Sequence, residues 1–184
     1  MANIQQFYQR AQDMDFSRDF LFQVTSLTLN GLVMGQADLV YATTAKLPSR
    51  TIRNIKVPYM GLDFNVPGGV QYEGSDAYEL TFYLDAESKL RNFFEEASRN
   101  SFDEQNGSTG DYKTPDDSNV ITLMQLDKQR EEINTFNLFG ASIRKVNDIE
   151  YKMAEGTGET VKLNVTIAYH FYNQSFISDP FIGS

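Results

Sequence analysis

The sequence predicts a mainly β protein: an antiparallel β-sandwich or partly open barrel with one flanking α-helix and a short N-terminal helix. Two observations lead to this prediction. Short segments in which apolar and polar residues alternate recur along the 184 residues, with turn residues between them. Only one longer segment, residues 86–98, repeats its apolar residues at helical spacing. Seven or eight short strands with few helices favour a sandwich or barrel over a parallel sheet.

The first part of the chain predicts one short helix and two strands. Apolar residues recur at helical spacing between residues 4 and 11, which indicates a short amphipathic helix. Residues 20–29 and 37–45 are rich in β-branched and aromatic side chains and are predicted to be strands. The Asn30-Gly31 pair between them is a turn signal.

The next segments are predicted to be two more strands. Residues 55–60 and 62–66 both alternate apolar with polar side chains. Gly61 between them is interpreted as a kink or bulge, and residues 66–70, "VPGGV", as a turn. This region is therefore expected to be an extended ribbon.

The most regular strand pattern comes next and leads into the helix. Residues 77–85 alternate without interruption, and residues 86–98 follow with helical spacing. Asp85 is well placed to cap the N-terminus of that helix. The helix is expected to bury four apolar residues, Leu90, Phe93, Phe94 and Ala97.

The remaining segments complete the predicted sheets. Residues 100–119 are polar and rich in Gly, Asp and Ser, which predicts a long mobile loop. Strands are predicted over residues 120–127 and, with a break at Gly140, over residues 133–143. Residues 160–172 alternate throughout and are predicted to form one long final strand.

Composition limits both the organisation and the chemistry. The chain has a suitable length for a single domain over residues 1–184. It contains no cysteine, which excludes disulfides, thiolate metal sites and thiol catalysis. Its one histidine, His170, lies on the polar side of the predicted last strand, and no catalytic, cofactor-binding or metal-ligating set is apparent. We therefore expect a protein that is not an enzyme and that needs no cofactor.

Charge and hydropathy make two classes of partner unfavourable. The net charge is −9, and an acidic surface repels nucleic acid. No apolar run approaches the length needed to span a bilayer, so no membrane partner is expected.

One basic, proline-marked ribbon departs from the acidic composition. Residues 39–62 contain neither Asp nor Glu. They carry four cations and two prolines instead: Lys46, Pro48, Arg50, Arg53, Lys56 and Pro58. Three interpretations are open at this point: a nucleic-acid contact, an edge strand protected from aggregation, or a surface that docks on an acidic face of a neighbouring copy.

Several segments in a fixed order carry a resemblance to a known family. They are "DFSRDFLFQV" (15–24), "ATTAKLPSRTIRNIKVPYMGLDFNVPG" (42–68), "YELTFYLDAESKLRNFFEE" (78–96) and "ETVKLNVTIAYHFY" (159–172). Together they resemble the tail tube protein of contractile-tailed, myovirus-type bacteriophages. The likeness covers nearly the whole chain, and it is weakest in residues 100–119 and after Tyr172.

The resemblance implies a structural subunit of a virion. Six copies would form a ring, and rings would stack into a tube inside a contractile sheath, with baseplate and tail terminator proteins as further partners. The tube would be assembled in the host cytoplasm, and DNA would pass through a negatively charged lumen without specific binding. The basic ribbon, with Lys46, Pro48, Arg50, Arg53, Lys56 and Pro58, would contribute to ring stacking.

The strand alternation also indicates which polar residues could face the lumen, although it does not decide which sheet lines the channel. The polar-face candidates are Asp63, Asn65, Glu79, Thr81 and Asp85. Six copies of an acidic subunit would make such a lumen negative, so that phosphates find few cations.

Two alternatives remain open. One keeps the architecture: a tube initiator or terminator, or a needle-like subunit of a type VI secretion system. The other is a monomeric β-sandwich that binds carbohydrate or protein through exposed loop aromatics, for which Tyr72, Phe102 and Tyr112 are candidates.

Overall fold

The structure, a computed structural model, describes residues 4–13, 17–102, 110, 118–151 and 158–176. As predicted, the described chain is mainly β. In chain order the elements are α1 (Ile4–Asp13), β1 (Phe22–Leu29), β2 (Leu32–Val33), α2 (Gln36–Leu39), β3 (Ala42–Thr44), β4 (Thr51–Tyr59), β5 (Leu62–Gln71), β6 (Tyr78–Tyr83), α3 (Lys89–Arg99), β7 (Val120–Leu126), β8 (Glu132–Phe139), β9 (Ser142–Val146), β10 (Lys162–Ala168) and β11 (Phe171–Phe176).

The strands form three antiparallel sheets. The five-stranded sheet has the order β11-β8-β7-β1-β2, and the four-stranded sheet has the order β3-β6-β10-β9. Among the described strands, β4 and β5 pair only with each other. The pairings among the described residues do not close a barrel, so the sandwich alternative of the prediction is the one observed.

One apolar core joins the two larger sheets and helix α3. The five-stranded sheet contributes fully buried side chains such as Leu27 and Ile121, and the four-stranded sheet contributes Phe82. Phe94 of α3 packs on Phe82 with ring centroids 5.4 Å apart. The helical spacing seen in the sequence is thus explained, because Leu90, Phe94 and Ala97 are the buried residues of α3.

The prediction of a strand over residues 37–45 is wrong in its first half. The structure has the short helix α2 there, and only Ala42–Thr44 is extended. Leu39 is buried, whereas the adjacent Val40 is 74% exposed. Residue composition favoured a strand, but strand propensity depends strongly on context, and here the chain forms one helical turn with Leu39 in the core.

The predicted single final strand is two strands in different sheets. Strand β10 belongs to the four-stranded sheet and β11 to the five-stranded sheet. Between them the Tyr169 N–H donates to the carbonyl of Ser75 (2.8 Å), and the His170 N–H donates to the carbonyl of Phe139 (2.9 Å). The chain crosses from one sheet to the other at this corner. His170 is exposed there, as expected.

The ribbon is a hairpin whose turn and bulge differ from the prediction. The chain reverses at Met60-Gly61, where both φ angles are positive (50° and 79°), as a tight two-residue turn requires. Residues 66–70 are not a turn, because they lie within β5. Gly68 is the extra residue of a bulge, since Arg53 pairs with Gly69 and the next residue of β4 pairs with Pro67.

Helix α3 begins at Lys89, three residues later than predicted. Ser88 has a left-handed backbone (φ 56°), which is incompatible with an earlier helical start. Most of the predicted mobile loop, namely residues 103–109 and 111–117, lies outside the described residues.

Candidate assembly surface

The β4–β5 hairpin stands apart from the rest of the fold. It is a sheet of its own, and residues 52–70 are exposed throughout. A two-stranded hairpin alone is marginally stable in water, because it has little apolar surface to bury. This hairpin therefore gains little stability from apolar surface buried between its own two strands.

One face of the hairpin is apolar along its length. The cross-strand pairs Ile55–Val66, Val57–Phe64 and Tyr59–Leu62 bring six side chains to that face. We call this set the apolar stripe: Ile55, Val57, Tyr59, Leu62, Phe64 and Val66. Each of these residues is between 45% and 65% exposed. The opposite face is more polar: it is built from the pairs Asn54–Pro67, Lys56–Asn65 and Pro58–Asp63, with the apolar pair Ile52–Val70 nearer the base.

The cations of the ribbon do not share one surface. Strand alternation places Arg53 on the side of the apolar stripe and Lys56 on the opposite side. The Arg53 Nε donates to the side-chain oxygen of Gln71. Lys46 lies outside the hairpin, with its ammonium 3.7 Å from the carboxylate of Glu79.

The other members of the ribbon are similarly dispersed. Arg50 is exposed just before β4, Pro48 is half-buried, and Pro58 lies on the polar face of the hairpin. The six residues of the ribbon therefore do not form a single basic surface. The continuous surface of the hairpin is the apolar stripe.

A tyrosine cluster anchors the base of the hairpin. The Tyr78 hydroxyl donates to the carbonyl of Lys46, and burial raises the pKa of Tyr78 above its ordinary value. Tyr72, just after β5, packs edge-on against Tyr172 of β11 with ring centroids 5.4 Å apart. Burial, with Tyr172 and Tyr72 nearby, raises the pKa of Tyr169 to about 12. The base is thus held by both larger sheets.

Sequence patterns do not predict this tyrosine cluster. Its members come from segments far apart in the chain, and each tyrosine has an ordinary place in a strand pattern. Tyr72, which the sequence indicates as a candidate loop aromatic for ligand binding, is half-buried in the cluster. Phe102 is 52% exposed, and Tyr112 lies outside the described residues.

The five lumen candidates lie in three places. Asp63 and Asn65 are on the polar face of the hairpin. Glu79 and Thr81 are on the solvent-facing side of β6, opposite its buried residues. Asp85 follows that strand and contacts the start of α3, so the structure does not bring the five into one surface.

The carboxylate of Asp85 caps helix α3, as the sequence predicts. Its two oxygens accept hydrogen bonds from the backbone N–H groups of Lys89 (2.8 Å) and Leu90 (3.2 Å). Desolvation alone would raise the pKa of Asp85, but these hydrogen bonds outweigh it and hold the pKa below its ordinary value. Asp85 therefore stabilises the helix start in its ionised form.

The solvent-facing side of the four-stranded sheet is mixed in charge. Pairing in register puts Lys162 beside Tyr83 and Lys145 beside Thr166 on this side. The Lys162 ammonium lies 5.7 Å from the centre of the Tyr83 ring. The nearby Glu79 is already paired with a lysine. This face is therefore not a continuous negative surface.

A mostly apolar groove, here called the β1 groove, lies at the start of β1 in the five-stranded sheet. A cavity of about 310 Å³ lies between β1, β7 and residues 45–47, with Leu21, Phe22, Leu47 and Leu123 among its lining residues. A second cavity of about 340 Å³ lies on the side of α2 and also contacts Leu21 and Phe22. Leu47 at the rim is 51% exposed.

Metal binding and membrane spanning are two further possible roles of such a chain. In the part of the chain that the structure describes, no three His, Asp or Glu side chains lie together in a way that could hold a metal ion. No described helix is long and apolar enough to cross a membrane.

No known protein family and no curated protein matches the sequence. Solved structures do match the fold. A chain in the cryo-EM structure of the anti-feeding prophage baseplate has a TM-score of 0.61 at 13% identity, covering 89% of this chain and 98% of that one. A chain of the tube-terminating cap of the same prophage has a TM-score of 0.59 at 13% identity, over 89% and 93%.

A third match comes from an extracellular contractile injection system. A chain of its sheath-tube complex has a TM-score of 0.53 at 12% identity, over 96% of this chain and 100% of that one. At such identities the likeness establishes a shared fold. The structural neighbours are tail-tube-like components of contractile injection systems, as the sequence resemblance predicts.

Proposed function

We propose that the chain is a structural subunit of a phage contractile tail tube, which assembles as stacked hexameric rings around a lumen through which DNA passes. The sheath, baseplate and tail terminator proteins are the corresponding partners, and the virion tail is the location. In this role the protein binds its own copies and catalyses no reaction.

The observation that carries this proposal is the free-standing β4–β5 hairpin. Its apolar stripe is half exposed in the single chain, and among the described residues its two strands pair with no third strand. An exposed apolar surface of this length is a protein interaction site in a soluble molecule. A subunit that repeats its own contacts throughout an assembly covers the stripe in every copy.

The structural neighbours support the same class of assembly. They come from a baseplate, a tube-terminating cap and a sheath-tube complex. Two of these three structures are of a baseplate and a tube-terminating cap, which favours a tube initiator or terminator as the second candidate. A shaft subunit forms long tubes when concentrated, whereas an initiator or terminator stops at single rings.

The charge of the lumen depends on which surface lines it. If the solvent-facing side of the four-stranded sheet does, Lys145 and Lys162 enter the channel together with Glu79. If the polar face of the hairpin does, Asp63 and Asn65 enter with Lys56. Each of these surfaces carries both positive and negative side chains. The proposed negative charge of the lumen therefore rests on the net charge of the whole ring and not on either surface alone.

The first test is assembly of the purified full chain, followed by negative-stain electron microscopy and sedimentation. For a shaft subunit, the expected result is long tubes with the diameter of a single ring. A protein that stays monomeric at high concentration, with or without purified baseplate, would contradict the proposal.

The stacking role of the ribbon is tested by charge reversal. Arg50→Glu with Arg53→Glu is expected to leave the subunit folded and to block tube growth after ring formation. The matched control is Lys128→Glu with Arg99→Glu, two exposed cations elsewhere on the fold. If tubes lengthen normally in both proteins, the ribbon cations have no part in stacking, and edge protection is their remaining role.

A further inference from the structure

We propose that the β1 groove is the receptor site for the apolar stripe of a second copy of this chain. The inference rests on the proposed tube function and adds to it the surface that receives the hairpin. Both surfaces lie on the described part of the same chain, and both carry exposed apolar side chains.

One edge of β1 is only partly paired, and the second cavity of the groove lies on that side, next to α2. Strand β2 pairs with Thr28 and Leu29, at the end of β1. Over Phe22–Ser26, β1 pairs with β7 on one side, and on the other side it has no paired strand among the described residues. An open edge of this kind accepts an added strand through its backbone N–H and carbonyl groups.

The hairpin offers the matching features. Strands β4 and β5 each have one edge without a ladder partner. The apolar stripe has the extended shape that a groove along a strand accommodates, and the groove presents Leu21, Phe22 and Leu47 to it. Backbone and side-chain complementarity therefore point to the same occupant.

The size of the stripe explains why one contact alone is weak. Six half-exposed side chains bury on the order of 500 Å², taking about 150–250 Å² for each whole aromatic side chain, which is below the ~800 Å² per partner of a stable complex. A contact of this size favours repeated association over an isolated dimer. The occupant is thus a copy within an assembly.

Cross-linking tests the contact directly, since the chain has no cysteine of its own. One population carries Phe64→Cys, and an isotope-labelled population carries Leu47→Cys. Both sites are about half exposed, so both variants are expected to fold, which circular dichroism checks. The two populations are mixed, assembled and oxidised, and mixed disulfide dimers are quantified by mass.

Two controls sharpen the result. In the first control, Asn65→Cys, at the neighbouring position on the polar face of the hairpin, is used in place of Phe64→Cys. In the second, Thr166→Cys, on the four-stranded sheet, is used in place of Leu47→Cys. The Phe64–Leu47 combination is expected to give at least about tenfold more mixed dimer than either control, because a disulfide requires Cα atoms within about 7 Å.

The outcomes separate this inference from the proposed function. Assembled particles in which Phe64→Cys links to Thr166→Cys, or to neither acceptor, overturn the inference and leave the tube function standing. Absence of any assembly by the unsubstituted chain contradicts both. A Leu47→Asp variant that assembles like the unsubstituted chain also overturns the inference.

Discussion

Truncation of one stripe residue is the most informative perturbation of this protein. Phe64 lies in the middle of the apolar stripe, opposite Val57, and is 50% exposed in the single chain. Replacing it with alanine removes apolar surface that the fold itself only half covers. The effect on folding and the effect on assembly are therefore expected to differ.

The magnitude follows from the uncovered half of the side chain. Complete burial of a phenylalanine side chain contributes up to about 3 kcal/mol relative to full exposure. Covering the exposed half of Phe64 then stabilises the assembly by about 1–1.5 kcal/mol per copy. Since 1.4 kcal/mol corresponds to tenfold in an equilibrium constant, Phe64→Ala is expected to raise the critical concentration by about five- to tenfold.

The assay measures assembly against concentration. Pelleted protein is quantified over a dilution series for the unsubstituted chain and for Phe64→Ala, with electron microscopy of each pellet. Urea unfolding of the unassembled subunit gives the folding effect separately, and we expect a change below about 1 kcal/mol for this exposed site. Asn65→Ala, one residue along on the polar face, is the control and is expected to change the critical concentration less than about twofold.

The reasoning is refuted by either of two results. An unchanged critical concentration for Phe64→Ala means that the stripe stays exposed in the assembly. Equal effects for Phe64→Ala and Asn65→Ala mean that the apolar face is not distinguished from the polar one.

Three further substitutions test the fold around the assembly surface. Asp85→Ala removes the cap of α3 and should cost about 1 kcal/mol in urea unfolding at pH 7. Because the folded pKa of Asp85 is lowered, its contribution is present above the ordinary carboxyl pKa and is lost as pH falls, so the two proteins should converge in acid. Tyr78→Phe removes the hydrogen bond to the Lys46 carbonyl and should also cost about 1 kcal/mol, with equal stability arguing against an anchoring role. Gly140→Ala should cost more than about 1 kcal/mol, since φ is +68° and the new Cβ would lie 2.1 Å from the His170 ring; an unchanged melting temperature would contradict this.

The fold class was predictable because strand and helix patterns are local. Alternation over residues 77–85 identified β6, and helical spacing over residues 86–98 identified α3 with its buried face. Asp85 was recognised as a cap from its position alone. In each case the pattern that identifies the element lies within a short segment of the chain, so the sequence carries that pattern directly.

The misplaced elements have a common cause. Residues 160–172 alternate continuously, yet the chain changes sheets at Tyr169 because hydrogen bonds to Ser75 and Phe139 redirect it. Alternation has the same period in both sheets, so it contains no record of the crossing. The glycines of residues 66–70 suggested a turn, whereas pairing with β4 makes Gly68 a bulge.

The sequence by itself determined that the segment around residues 55–66 is extended, with one apolar and one polar face. Only the tertiary structure decided that this ribbon leaves the body of the protein and that neither larger sheet covers its apolar stripe. The physical reason is that alternation specifies which side chains share a face, while burial depends on what packs against that face. For this hairpin the apolar stripe stays about half exposed in the described part of the chain.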